Sequence, residues 1–302
     1  MGTVIDHVEV TRGRWRHRHS ALHLAVTAAR DCLAVSRRDR DDVDLLINTG
    51  IYRDRNLAEP ALAALIQQDV GANPEDPHPE GHGTFSFDIA NGSCGVLTAL
   101  QIADGFLRSN TIDCALVVAS DADPGRGCSE DFPFSPTGAA LLCHWSDDDR
   151  GLGRVHWLTS RDDGETFRAT VGFADARNVL RFATSAAMDD RFASTAAEVA
   201  RRCLREAALD VSDLDAIITA PARRAYRTRL AENLGVPVEL IVAAGDERVH
   251  TAALLTAMAR DDGRLRNGRR VLLVAAGAGV VAGAAVYSSP PSAPDQAGPT
   301  GG

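Results

Sequence analysis

The stretch Phe85-Ser86-Phe87-Asp88-Ile89-Ala90-Asn91-Gly92-Ser93-Cys94-Gly95-Val96-Leu97 runs on through Thr98 to Gly105, and the rest of the chain is organised around it. It reads as a short strand from Thr84 to Ile89, a tight turn of small residues, and then a helix. Val96, Leu97, Leu100, Ala103 and Phe106 or Leu107 recur at helical spacing and form that helix's apolar face. A side chain at Ser93 or Cys94 stands at the first turn. There, unpaired N–H groups and the positive end of the helix dipole stabilise a thiolate or an oxyanion. The small neighbours leave the backbone open to a substrate. Taken locally, the same pattern also describes an ordinary strand-turn-helix of an α/β core.

Around this stretch lie 302 residues, 45% of them hydrophobic, enough to bury one large domain or two fused halves. Acidic residues outnumber basic ones 41 to 32, and the net charge of −9 argues against a nucleic-acid partner. No apolar run approaches the length of a membrane span and no signal peptide opens the chain, so a soluble, cytoplasmic protein is expected. The six cysteines, at 32, 94, 114, 128, 143 and 203, are dispersed without a C-x-x-C pair. That excludes a disulfide framework and a zinc site from the reading, and no metal is expected. Most read as small core residues; Cys94 is the one to watch.

Strands are expected at Thr3–Val10, Asp44–Asn48, Asp113–Ser120, Gly138–Trp145, Arg154–Ser160, Ala216–Thr219, Glu239–Val242, Arg270–Ala276 and Val280–Tyr287. Helices are expected from Ser20 to Ser36, from Pro60 to Gly71, from Asp189 to Ala208, from Pro221 to Gly235 and from Val249 to Ala259. The segment leading to Ser185 reads as loop. The tail from Ser289 is Pro, Gly, Ser and Ala with nothing to bury, and disorder is expected there.

The order repeats. Ala29-Arg30-Asp31-Cys32-Leu33, followed by Asp42-Val43-Asp44, returns as Ala200-Arg201-Arg202-Cys203-Leu204, followed by Asp213-Leu214-Asp215, at a constant offset of 171. Each copy continues with a helix ending in Gly, a short strand, a second helix and a buried strand. The second helices start near Ser93 and near Val249. Two similar α/β halves, 1–150 and 151–288, with those helices between two sheets, account for this pattern, and the helix N-termini then approach one another. Residues 289–302 form the tail.

This repeat, the central stretch and the closing turn Gly277-Ala278-Gly279-Val280-Val281-Ala282-Gly283-Ala284 together resemble the thiolase superfamily, specifically its β-ketoacyl-carrier-protein synthase III branch. Gly263-Arg264-Leu265-Arg266-Asn267-Gly268 before a strand adds to the likeness, which spans about Ala21 to Tyr287. The resemblance implies a thiolase-like fold of αβαβα layers, a dimer, and chemistry on acyl thioesters. It also implies a nucleophile five residues after Asp88, which is Ser93 where the family has Cys; Cys94 lies one residue on. The family's His-Gln-Ala-Asn motif falls on Ala220-Pro221-Ala222-Arg223, placing Ala220 at the His position. Its Gly-Asn-Thr-Ser falls on Gly245-Asp246-Glu247-Arg248, placing Asp246 at the Asn position. The family's Phe-Gly-Asp-Gly-Ala-Gly turn is reduced to Phe134-Ser135-Pro136-Thr137-Gly138-Ala139. The nearby Gly277-x-Gly279-x-x-x-Gly283 is not a dinucleotide loop, because a strand and not a helix follows it.

Three functional readings follow from these departures. In the first, Ser93 is an acyl acceptor in a ketosynthase III-like acyltransferase of fatty-acid or specialised-metabolite synthesis. An Asp246–His250 pair then acts as its base, and the amides of Ser93 and Gly279 form the oxyanion hole by family analogy. His250 also reads as a helix first-turn residue bonded locally. In the second, Cys94 is the nucleophile, its thiol acidified by the helix start. In the third, the chain is a catalytically degenerate partner that completes a heterodimer with a related ketosynthase. Acyl-coenzyme A or an acyl-carrier protein is the expected partner, bringing coenzyme A or phosphopantetheine as a thioester and no covalently bound cofactor. Trp15, within the basic segment Arg12–His19, and Arg223 are assigned to that substrate; the basic segment also reads as a solvated arm.

Overall fold

The computed structural model describes residues 2–13, 18–56, 60–73, 83–148, 150–162, 164–174, 177–261, 265 and 268–290. Its first sheet is built from β1 (Gly2–Arg12), β2 (Leu45–Asn48), β3 (Phe85–Asp88), β4 (Cys114–Asp121) and β5 (Thr137–Ser146), in the order β1-β5-β4-β2-β3. The second contains β6 (Gly151–Leu152), β7 (His156–Thr159), β10 (Ala216–Ala220), β11 (Ile241–Val242), β12 (Arg270–Gly277) and β13 (Val281–Ser288). Its order is β11-β10-β12-β13, with β6 and β7 both pairing β13. The two sheets share one plan. Strands β2 and β10 each lie parallel to both neighbours, and β4 and β12 each turn back antiparallel into β5 and β13. The repeat of 171 residues is therefore a repeat of topology.

The helices are α1 (Ala21–Ser36), α2 (Leu62–Val70), α3 (Gly95–Arg108), α4 (Met188–Glu206), α5 (Arg224–Leu234) and α6 (Ala253–Arg260). Their apolar stripes decide their layers. Val96, Leu97 and Leu100 of α3 and Leu254, Leu255 and Met258 of α6 pack in one buried cluster with Ile47 and Val117 of the first sheet and Ile218 and Leu273 of the second. Helices α1 and α2 cover the outer face of the first sheet, and α4 with α5 covers that of the second. This is the α/β thiolase-like arrangement of αβαβα layers. Ser20 caps α1, its hydroxyl accepting from the His23 N–H at 3.1 Å, and Gly71 and Gly235 end α2 and α5 in the left-handed conformation.

One expectation fails. The segment before Ser185 is not a loop but an antiparallel hairpin of β8 (Phe167–Ala174) and β9 (Arg177–Thr184). Several boundaries also move inward: α6 begins at Ala253 and not at Val249, because the Val249–Ala252 turn is held by a carboxylate described below. Most of the tail, and residues 14–17 of the Arg12–His19 segment, lie outside the described residues. Among the described residues, no helix is long and apolar enough to cross a membrane.

Candidate active site

Strand β3 delivers the chain to the centre of the molecule. Its last residue, Asp88, accepts from Arg53 Nη2 at 2.6 Å, from Asn48 Nδ2 at 3.0 Å and from the amides of Leu62 and Ala63 at 2.9 and 2.8 Å, which pins β3 to the start of α2. Burial would raise the Asp88 pKa, but these hydrogen bonds from Asn48, Arg53 and Ala63 outweigh it and hold the carboxyl below its usual range. A short 3-10 turn, Gly92–Cys94, then leads into α3. Gly92 has φ +50°, and a Cβ there would stand 3.7 Å from His250 Nε2. The starts of α3 and of the α6 segment thus meet, as the repeat implied.

Ser93 is buried, 2% exposed, and its Oγ donates to the carbonyl of Ala276 at 2.5 Å. A Cβ on Gly277 would lie 3.0 Å from that Oγ, so the lack of a side chain there lets the end of β12 close over the turn. Ser93, His250, Gly277 and Ala278 line a cavity of about 250 Å³, with Phe134, Phe167, Phe182, Met188 and Phe192 making its apolar walls. The His250 ring stacks on Phe134 at 4.2 Å and 7°, and Phe167 lies 5.6 Å away. Its Nε2 is buried with no hydrogen-bond partner. Burial, only partly opposed by the Asp121 charge, lowers the His250 pKa, so the ring is neutral at pH 7.

Asp121, at the end of β4, holds the backbone that carries His250. Its carboxylate accepts from the amides of His250 (2.9 Å) and Thr251 (3.0 Å) and from Thr251 Oγ1 (2.8 Å). It occupies the anion position of a helix N-terminus. The expected Asp246–His250 pair is not formed. Asp246 accepts instead from the Arg248 amide at 2.9 Å. Burial raises its pKa, and the bonds from Ser135 and the Arg248 amide more than reverse this.

Cys94 is fully buried with Sγ directed at the Val281 carbonyl, 3.6 Å away, and it does not line the cavity. Burial pushes its thiol up to about 12, the reverse of the acidification expected from a helix start. Desolvation of a thiolate among the residues of the central core outweighs the dipole of the helix. The loop after β12 faces the cavity with Gly277 and Ala278; Gly279, the expected oxyanion donor, is exposed and not part of the wall. Arg223 lies in the wall, where its Nε and Nη2 donate side by side to the two oxygens of Asp189 at 2.7 and 2.9 Å. Ala220 is buried at the end of β10 beside Pro221, which lines the cavity. Trp15 lies outside the described residues.

Sequence reasoning missed Asp121 and the aromatic walls. Phe167, Ala169, Val171 and Phe173 alternate with Arg168, Thr170 and Gly172, and that period of two was the available signal for the hairpin. Asp121 left none, because its partners are backbone amides 129 or more residues away.

Residues 204–289 match the family described as 3-Oxoacyl-[acyl-carrier-protein (ACP)] synthase III C terminal. The chain is 28% identical over 306 residues to beta-ketoacyl-[acyl-carrier-protein] synthase III of Sphingopyxis alaskensis, covering 92% of this chain and 88% of that one. It is likewise 28% identical over 324 residues to beta-ketoacyl-[acyl-carrier-protein] synthase III 2 of Streptomyces coelicolor, covering 97% and 93%. The crystal structure of 3-oxoacyl-(acyl carrier protein) synthase III from Pseudomonas aeruginosa superposes with a TM-score of 0.78 at 18% identity, over 97% of this chain and all of that one (100%).

Proposed function

We propose that this chain, a thiolase-superfamily, ketosynthase III-like protein, takes an acyl group from acyl-coenzyme A or an acyl-carrier protein onto Ser93 and passes it to an acceptor. One observation carries this reading: an apolar cavity holds a serine together with a neutral imidazole whose Nε2 is buried and unpartnered. At rest the Ser93 proton is held by Ala276. Such a bond contributes about 1 kcal/mol net, so turning the hydroxyl toward His250 costs little beside a chemical barrier.

In the forward step Ser93 Oγ adds to the thioester carbonyl carbon while His250 Nε2 takes its proton. The C–S bond then breaks, and the proton passes to the departing thiolate. In the second half an acceptor hydroxyl or amine gives its proton to Nε2 as it attacks the acyl ester, and Ser93 recovers its hydrogen. Backbone amides at the Ser93 turn and in the loop after β12 receive the developing oxyanion. An oxygen ester is less activated than a thioester, so the serine suits transfer to oxygen or nitrogen better than carbon–carbon condensation.

A rapid-mixing assay of thiol release tests this. Wild type is expected to release one thiol per site in a burst, Cys94→Ala to keep the burst, and Ser93→Ala to abolish it. His250→Gln should slow it by about 100-fold or more. The resting bond from Ser93 to main chain also favours a second reading, in which the serine is a locked structural residue of a degenerate partner subunit. No burst with any donor, and activity appearing only when a related ketosynthase is added, would establish that reading.

A further inference from the structure

A second pocket, of about 480 Å³, shares no residue with the Ser93 cavity. Into it come His19, Arg55, Arg126 and Arg177, from the segment before α1, the loop after β2, the loop after β4 and the first residue of β9. These segments are tied together. The Asn56 side chain donates to the carbonyls of Cys128 (2.5 Å) and Asn178 (3.1 Å), and the Arg55 amide donates to Pro124 O at 2.8 Å. The Arg177 guanidinium rests so close to Gly127 (φ +75°) that a Cβ there would lie 2.6 Å from Nη1.

Three guanidinium groups therefore line one pocket, and among the described residues none of the three is ion-paired with an acid. Asp54, the carboxylate in the wall, is taken by the Ala21 amide at 2.6 Å and by Ser20 Oγ at 2.7 Å. Asp123 accepts from the Gly125 amide and Ser129 Oγ at 3.0 and 2.9 Å, and its other oxygen faces His19 at 3.8 Å. Two arginines close by do have acidic partners: Arg181, also on β9, meets Glu130 at 2.9 Å, and Arg53 meets Asp88 at 2.6 Å. Unpaired like charges held together repel one another, and an anion with several oxygens relieves that repulsion. A single carboxylate has too few oxygens and too little charge for three forks, whereas a phosphate or diphosphate offers both.

We infer that this pocket is a binding site for a phosphate group. Along β9, Phe182 lines the Ser93 cavity and Arg177 lines this pocket, about 16 Å apart at strand rise and on opposite faces of the strand, so a molecule joining them passes around the hairpin. The phosphate then belongs either to a free diphosphate or to a longer molecule whose other end enters the Ser93 cavity. The site itself stands whether or not Ser93 is acylated.

The test is calorimetric titration of the full chain with inorganic pyrophosphate, and then with coenzyme A. Pyrophosphate should bind saturably at low salt and weaken as salt rises through about 200 mM. Arg126→Gln and Arg177→Gln should each weaken it by about tenfold or more, and Arg181→Gln, a paired arginine outside the pocket, by less than about twofold. These three side chains are exposed, so melting curves of the variants should match wild type. Coenzyme A binding more tightly than pyrophosphate, and losing the same factor in Arg177→Gln, assigns the phosphate to the longer ligand. Equal affinity for the two assigns it to a free diphosphate. Failure of both probes to bind saturably, or binding that Arg126→Gln and Arg177→Gln leave unchanged, overturns the site.

Discussion

At the first turn of α3, burial acts on neighbouring residues to different ends. Cys94 keeps its proton because no charge or donor compensates a thiolate in the core, while Ser93 keeps its hydroxyl turned to a main-chain carbonyl beside an open cavity. Of the six cysteines five are buried and Cys128 is half-buried. Alkylation of the native protein near pH 8 should therefore label Cys128 first, with Cys94 labelled only after denaturation; peptide mass spectrometry reads this directly. On the proposed reading, with His250 as the base of Ser93, that histidine sets the pH response. Its folded pKa lies below the unperturbed value near 6.5, so the neutral base is fully present above about pH 6.5 and is lost as pH falls through the lowered pKa. The rate of acylation should be flat at neutral pH and fall on acidification, and His250→Gln should remove that acid limb. Ser93 was legible because its motif is contiguous. The Asp246–His250 pairing was not, because helical spacing cannot reveal that the Val249–Ala252 turn winds around a carboxylate from another sheet.

Two elements shape the cavity, and neither carries Ser93. The β8–β9 hairpin supplies Phe167 and Phe182, and the turn before α6 supplies His250 under the grip of Asp121. Asp121→Asn keeps the shape but replaces one oxygen acceptor by a donor facing amides, so His250 should lose its fixed orientation. Acylation is expected to slow by about tenfold or more with the acid limb retained, whereas a merely structural role would lower the melting temperature and leave the rate of folded enzyme unchanged. Phe182→Ala opens the wall. The ratio of rates for a longer over a shorter acyl donor should rise by about tenfold, in line with about 1–3 kcal/mol per methylene fitted or excluded. The hairpin escaped sequence reading because the pleat face that carries Phe167 and Phe182 runs on past the cavity to Val171 and Phe173, both exposed, so its apolar residues do not mark one continuously buried face.

For the whole molecule, the two sheets have the same strand plan and share one buried layer made of α3 and α6. Each half also has a cluster between its sheet and its outer helices, but the central cluster is built from both halves. Unfolding in urea should be one transition seen alike by far-ultraviolet circular dichroism and by tryptophan fluorescence. Leu97→Ala and Leu254→Ala, both at fully buried positions in that layer, should each cost about 2–5 kcal/mol. The fold was legible at this scale because an internal repeat of helices and strands constrains topology even where single motifs are degraded. What was not legible is which side chains the two halves present to each other, since those contacts join residues with no periodic relation in the chain.

The most direct measurement is peptide-level mass spectrometry of the protein after incubation with a panel of acyl-coenzyme A and acyl-carrier donors. The account predicts an acyl adduct on the peptide containing Ser93, retained in Cys94→Ala and absent in Ser93→Ala. An adduct lost only in Cys94→Ala, or none with any donor, would contradict it.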